Sequence, residues 1–173
     1  MPDHAVAVRP KEGWSSIRPE VSVLFFTLAL AQEAEPEPWI ERSFLIVASE
    51  KTFADALAKA GPIAVGTGIR FDLRGVGFDP SQIEMFGGLT MDRATCEDQQ
   101  WDYPCYMPRG RWDEGTYLSI EHSSAVQGFT PGLYVVIAAS GDGATLKPLL
   151  EKVKKTVPDA YIKKAPVYVG CMH

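Results

Sequence analysis

The chain has 173 residues, about one domain by the usual length relation. Hydrophobic residues make up 46% and charged residues 23%, a balance that excludes a disordered chain. The net charge of −5 argues against a nucleic-acid partner driven by counterion release, and no apolar run is long enough for a membrane-spanning helix.

Residues 21–31 read VSVLFFTLALA, an apolar core with Arg9, Lys11 and Arg18 upstream and small residues at 29 and 31. This is the layout of a secretory signal peptide over 1–31, followed by an acidic, Pro-rich linker over 32–42. The expected compartment is therefore the periplasm or the secreted fraction. The first folded element is SFLIVAS (43–49), a continuous apolar run that reads as a central strand. A helix over 52–60 follows, with Thr52 and Asp55 as a capping-box-like start and Gly61-Pro62 as its stop. Ile69 to Arg74 alternates apolar and polar, which predicts a second strand with one wet face.

Residues 76–131 read as an insertion, rich in Gly and Pro at both ends. Its first part is acidic, with Asp79, Glu84, Asp92, Glu97, Asp98, Asp102, Asp113 and Glu114 against Arg93, Arg109 and Arg111. Cys96 and Cys105 bracket a short loop and are the natural disulfide pair in an exported chain. Closing so small a ring contributes about 2–3 kcal/mol by loop entropy. TYLSIEH (116–122) alternates and is a candidate extra strand hairpinned to the run beginning at Leu133. LYVVIAAS (133–140) repeats the first strand's pattern, and a helix over 146–157 follows, with Thr145 as its cap and Pro148 in its first turn. Residues 160–162 and 167–169 close the second unit, leaving 171–173 as a tail. Two β-α-β units in succession predict an α+β, ferredoxin-like sandwich. Its four strands form one antiparallel sheet with two helices on one face, within a single domain over 43–170.

Pro158-Asp159-Ala160-Tyr161-Ile162 and Val167-Tyr168-Val169-Gly170, following GLYVVIAAS and its helix, resemble half of a SPOR domain. The resemblance covers about half the chain beyond residue 31. It implies the same β-α-β-β-α-β order and an envelope protein that binds peptidoglycan glycan strands across the sheet face without helices. On that basis Arg70, Asp72 and Arg74 are expected on the ligand face, joined by Tyr134 and Tyr168. The competing reading makes these ordinary outward charges and core tyrosines.

The stretch CEDQQWDYPCYMPRGRW (96–112) gathers Trp101, Tyr103, Tyr106 and Trp112 with Arg109 and Arg111. Aromatics with arginine suit recognition, and they equally suit packing of a stapled loop. Cys171 and His173 form a Cys-x-His pair and His122 stands apart, but a stable site wants three or four ligands, so no metal or other cofactor is assigned. No Gly-x-Ser-x-Gly elbow, His-Glu-x-x-His pair, phosphate loop or Cys-x-x-Cys is present. Glu121, His122 and Ser123 are adjacent, yet neighbours on a strand point to opposite faces. The expected function is a non-catalytic binding module for a cell-wall glycan. The alternative is an envelope protein that captures another protein through the stapled loop 96–112.

Overall fold

The computed structural model describes residues 38–111 and 115–170. The signal-peptide segment, Trp112, Cys171 and His173 lie outside the described residues. The fold is α+β, built on a four-stranded antiparallel sheet in the order β4-β5-β1-β6. In chain order the sheet strands are β1 (Trp39–Glu50), β4 (Thr116–His122), β5 (Tyr134–Gly141) and β6 (Tyr161–Tyr168). Between β1 and β4 lie α1 (Phe53–Thr67), the small hairpin β2 (Val76–Phe78) and β3 (Leu89–Met91), and α2 (Arg93–Asp98). A third helix, α3 (Gly143–Val153), joins β5 to β6.

The two apolar runs are the central strands β1 and β5, adjacent and antiparallel as expected. Successive residues send their side chains to opposite faces. Leu45, Val47, Val136 and Ala138 join the core beneath the helices, while Phe44, Ile46, Val135 and Ile137 form a second core on the far face. Burial on both faces explains why neither run alternates.

Both helices run differently from their predicted spans. Thr52 caps α1 by accepting from the Asp55 amide at 3.1 Å. The helix then passes through Pro62 to Thr67 and ends at Gly68, whose φ of 69° suits a residue without Cβ. Pro62 denies a donor to the carbonyl of Ala58, which lies on an exposed turn open to solvent, so the helix continues. Ile63 and Ala64 beyond it pack on the core and hold that extension down. In α3 the cap is Asp142 rather than Thr145, and Pro148 sits inside the helix on its exposed side.

The expected strand at 69–74 is not one of the four. Phe71 makes a single parallel bridge to Leu118, on the outer edge of β4. Asp72 donates its N–H to the Leu118 carbonyl at 2.9 Å and then accepts the Arg74 N–H at 2.8 Å, a turn that ends the pairing. The place beside β5 belongs to β4, which lies inside the segment read as an insertion and reaches β5 through a short local connection. β1 also begins at Trp39, four residues before the strand expected to start at Ser43.

The far face of the sheet is covered. Gly110 crosses Phe44 so closely that a Cβ would stand 2.7 Å from its ring, and its φ of 101° equally demands glycine. Phe129, in the connection between β4 and β5, packs edge-on against Phe44 at 5.6 Å. The expectation of an open far face is thereby corrected: loops of the insertion occupy it. At the edge of the sheet formed by β6, Lys163, Lys164 and Pro166 protect the strand against further pairing.

Candidate functional site

The two loops that cover the far face leave a groove of about 530 Å³ between them. One wall is Met107, Pro108, Arg109 and Arg111; the other is Ser124, Ala125, Val126 and Gln127. Pro166, Val167 and Tyr168 of β6 complete it, with Trp39 of β1 at one end. Trp39 is 47% exposed and meets the Tyr168 ring edge-on at 5.2 Å. The pairing follows from register, since Trp39 lies opposite Tyr168 in the β1–β6 ladder.

The first wall has no secondary structure, so side chains fix it. Glu121 of β4 is fully buried. Arg74 Nη2 donates to both its oxygens at 2.8 and 3.0 Å, and Arg74 Nη1 reaches the Met107 carbonyl at 3.2 Å. The Tyr106 hydroxyl and the Arg109 backbone N–H donate to the same carboxylate. One buried charge thus ties Arg74, just before the insertion, and the segment 106–109 within it to the sheet. Burial first, and the Glu121 charge second, push the Tyr106 phenol well above its ordinary pKa.

Arg109 is 1% exposed and has a different task. The β4–β5 ladder is irregular between Thr116 and Ser119. There Arg109 Nη1 donates to the carbonyls of Tyr117 at 2.6 Å and Ile137 at 2.9 Å, and Nη2 donates to Gly115 at 2.5 Å. Its guanidinium also stacks over the Tyr117 ring at 3.7 Å. The guanidinium supplies donors where the bulge removes ladder partners. Arg111 Nη2 donates to the Gly170 carbonyl, and its guanidinium stands 5.5 Å from the Tyr168 ring centroid.

Tyr168, Arg109 and Arg111 are therefore the expected site residues that converge. Arg70, Asp72, Arg74, Tyr134 and Trp101 are not in the groove lining among the described residues. Arg70 is exposed and pairs with Asp72 at 2.9 Å, off the sheet face on which both were expected. Arg74 is turned inward to Glu121. Tyr134 faces the helices, buried against Phe53 and Phe78, with its hydroxyl on the Gly87 carbonyl. Its parity in β5 puts it with Val136 and Ala138, opposite the expected face.

The disulfide between Cys96 and Cys105 is formed, with Cα atoms 5.8 Å apart. Inside the loop it closes, Trp101 is half-buried and Tyr103 donates to Asp79 at 2.9 Å beneath the Arg93 guanidinium. That bond raises the Tyr103 pKa, while Ser81 foremost lowers that of Asp79. These aromatics pack the insertion.

Trp39, Ser124, Gln127 and Pro166 escape sequence reasoning. Trp39 falls in the acidic, Pro-rich segment of the sequence, and only its register opposite Tyr168 reveals it. His122 Nδ1 lies 2.6 Å from Ser124 Oγ, and burial lowers the imidazole's pKa. Among the described residues no group of three or more His, Cys, Asp or Glu side chains converges as a metal site, and no helix is long and apolar enough to cross a membrane. No protein-family model matches this chain, and no curated protein or solved structure matches it.

Proposed function

We propose that this chain is an exported, non-catalytic binding module that takes a peptidoglycan glycan strand in the groove between the two far-face loops. The observation that carries the reading is the exposed Trp39 set edge-on to Tyr168, beside Arg111, at the end of a groove lined by both apolar and polar side chains. Sugars have apolar faces and polar edges, and a planar ring flanked by fixed donors matches both. The groove's size falls within the range of about 300–1,000 Å³ usual for ligand pockets. A disulfide in a small acidic chain supports an oxidising compartment, as the signal-like segment does.

The strand order supports a ferredoxin-like, SPOR-type reading in which β4 takes the place expected for 69–74. The covered far face moves the ligand from the open sheet to the groove above it. Protein capture by the stapled loop is less favoured, because Tyr103 and Tyr106 are engaged within the insertion and on Glu121.

Calorimetric titration of the protein with a muramyl disaccharide tests the proposal. Binding by the wild type should weaken at least about tenfold in Trp39→Ala, the scale of an aromatic anchor lost from a binding site. Wild-type protein that binds no muramyl glycan overturns the reading. Capture of an envelope protein that Trp101→Ala abolishes would favour the stapled loop instead.

A further inference from the structure

The groove's second wall presents one hydroxyl already under the control of a titratable neighbour. Ser124 is exposed and lines the groove, and its Oγ lies 2.6 Å from His122 Nδ1. The imidazole is held from behind, its ring edge-on to Tyr134 at 5.1 Å and packed over Gly87. We propose that Ser124 is a ligand-contacting hydroxyl of the groove and that His122 sets the direction of its hydrogen bond, so that binding follows the charge of the imidazole. The inference rests on the glycan reading above and adds to it a polar contact and a pH response.

In the neutral ring, with the proton assigned to Nε2, Nδ1 accepts from the Ser124 hydroxyl. Oγ then offers its lone pairs to an O–H or N–H of the sugar. A proton taken from solvent at Nδ1 reverses this: Nδ1 donates to Oγ, the hydroxyl hydrogen turns outward, and a ligand donor meets another donor. Burial lowers the imidazole's pKa, which favours the neutral ring. Among the described residues, the groups facing His122 leave this response to the ring itself. Tyr134 contributes a phenol whose pKa burial raises, and the 86–88 turn carries no ionisable side chain. The chain neighbour Glu121 is bound by Arg74.

Titrations of the full chain with a muramyl disaccharide at pH 8 and pH 5 decide the matter, since the sugar's own carboxyl stays ionised between them. Wild-type affinity should fall about three- to tenfold at pH 5, the worth of one hydrogen bond. Ser124→Ala should show a similar loss already at pH 8 and no further change at pH 5. His122→Asn, which keeps a polar atom near the Nδ1 position but does not titrate, should bind equally at both values. A Ser124→Ala variant that binds like the wild type, or a pH response that survives in His122→Asn, overturns the inference while binding that needs Trp39 still stands. Absence of wild-type binding at both pH values brings down the glycan reading and this inference together.

Discussion

The two faces of one sheet are covered by different means. On one, α1 and α3 lay Ala56, Ala60, Leu146 and Val153 over Leu45, Val47 and Val136. On the other, Gly110, Val126 and Phe129 lie over Phe44, Ile46 and Ile137 without a helix. A helix satisfies most of its own backbone, so its contact with the sheet can be almost wholly apolar. A loop leaves N–H and C=O groups in need of partners. The far face accordingly carries the fully buried Glu121 and the nearly buried Arg109 and Arg111, and among the described residues no charged side chain is buried beneath the helices. The same demand leaves the gap between loops that forms the groove. The helix-covered face is closed by apolar packing, and the loop-covered face combines a buried charge network with the groove.

The severest way to break this contrast is to remove the far face's anchor. Glu121→Ala strands Arg74 and the Tyr106 hydroxyl with no carboxylate. Loss of one partner from a buried charge pair costs about 3–5 kcal/mol. Denaturant unfolding should show a loss on that scale. Adding Arg74→Ala should recover part of it, because the second change removes the stranded charge. If Glu121→Ala unfolds like the wild type, the network does not hold the wall.

A smaller effect is expected from opening the disulfide. Cys96→Ser with Cys105→Ser removes the closure of a short loop, worth about 2–3 kcal/mol. The Cys105 backbone remains tied to Thr90 and Met91, so the sheet should survive while the wall at 107–111 loosens. Circular dichroism should be preserved, and muramyl-disaccharide binding should weaken. Equal loss of the sheet signal would mean that the insertion is part of the main cooperative unit.

The unequal legibility of the two faces in the sequence has the same origin. The strands at 43–49 and 133–140 are readable because double-sided burial writes a continuous apolar run, and the helices are readable from their periodic stripes. Helix ends are not, because Pro62 and Pro148 are tolerated wherever the carbonyl they deprive of a donor is exposed. The alternation at 69–74 correctly signals burial, since Ile69, Phe71 and Leu73 all pack on the helix-side core. It says nothing about pairing, and β4, closer to β5 along the chain, takes the position beside β5. The far-face network joins Arg74, Tyr106, Arg109 and Glu121, positions far apart in the chain with no shared local pattern. Trp39 becomes a candidate only once the β1–β6 register is known.

The mildest test approaches from the helix side and asks whether the two coverings are separable. Thr52 caps α1 through the Asp55 amide and makes a second bond from its hydroxyl to the Asp55 carboxylate at 2.7 Å. Replacing such a cap by alanine costs about 1 kcal/mol. The helix meets the sheet on the face opposite the groove, and neither Thr52 nor Asp55 lines the groove. Thr52→Ala should therefore lower the unfolding free energy by that amount and leave the affinity for a muramyl disaccharide unchanged. A variant that loses ligand in proportion to stability would show the groove to depend on the helical layer, and the two coverings would not be separable.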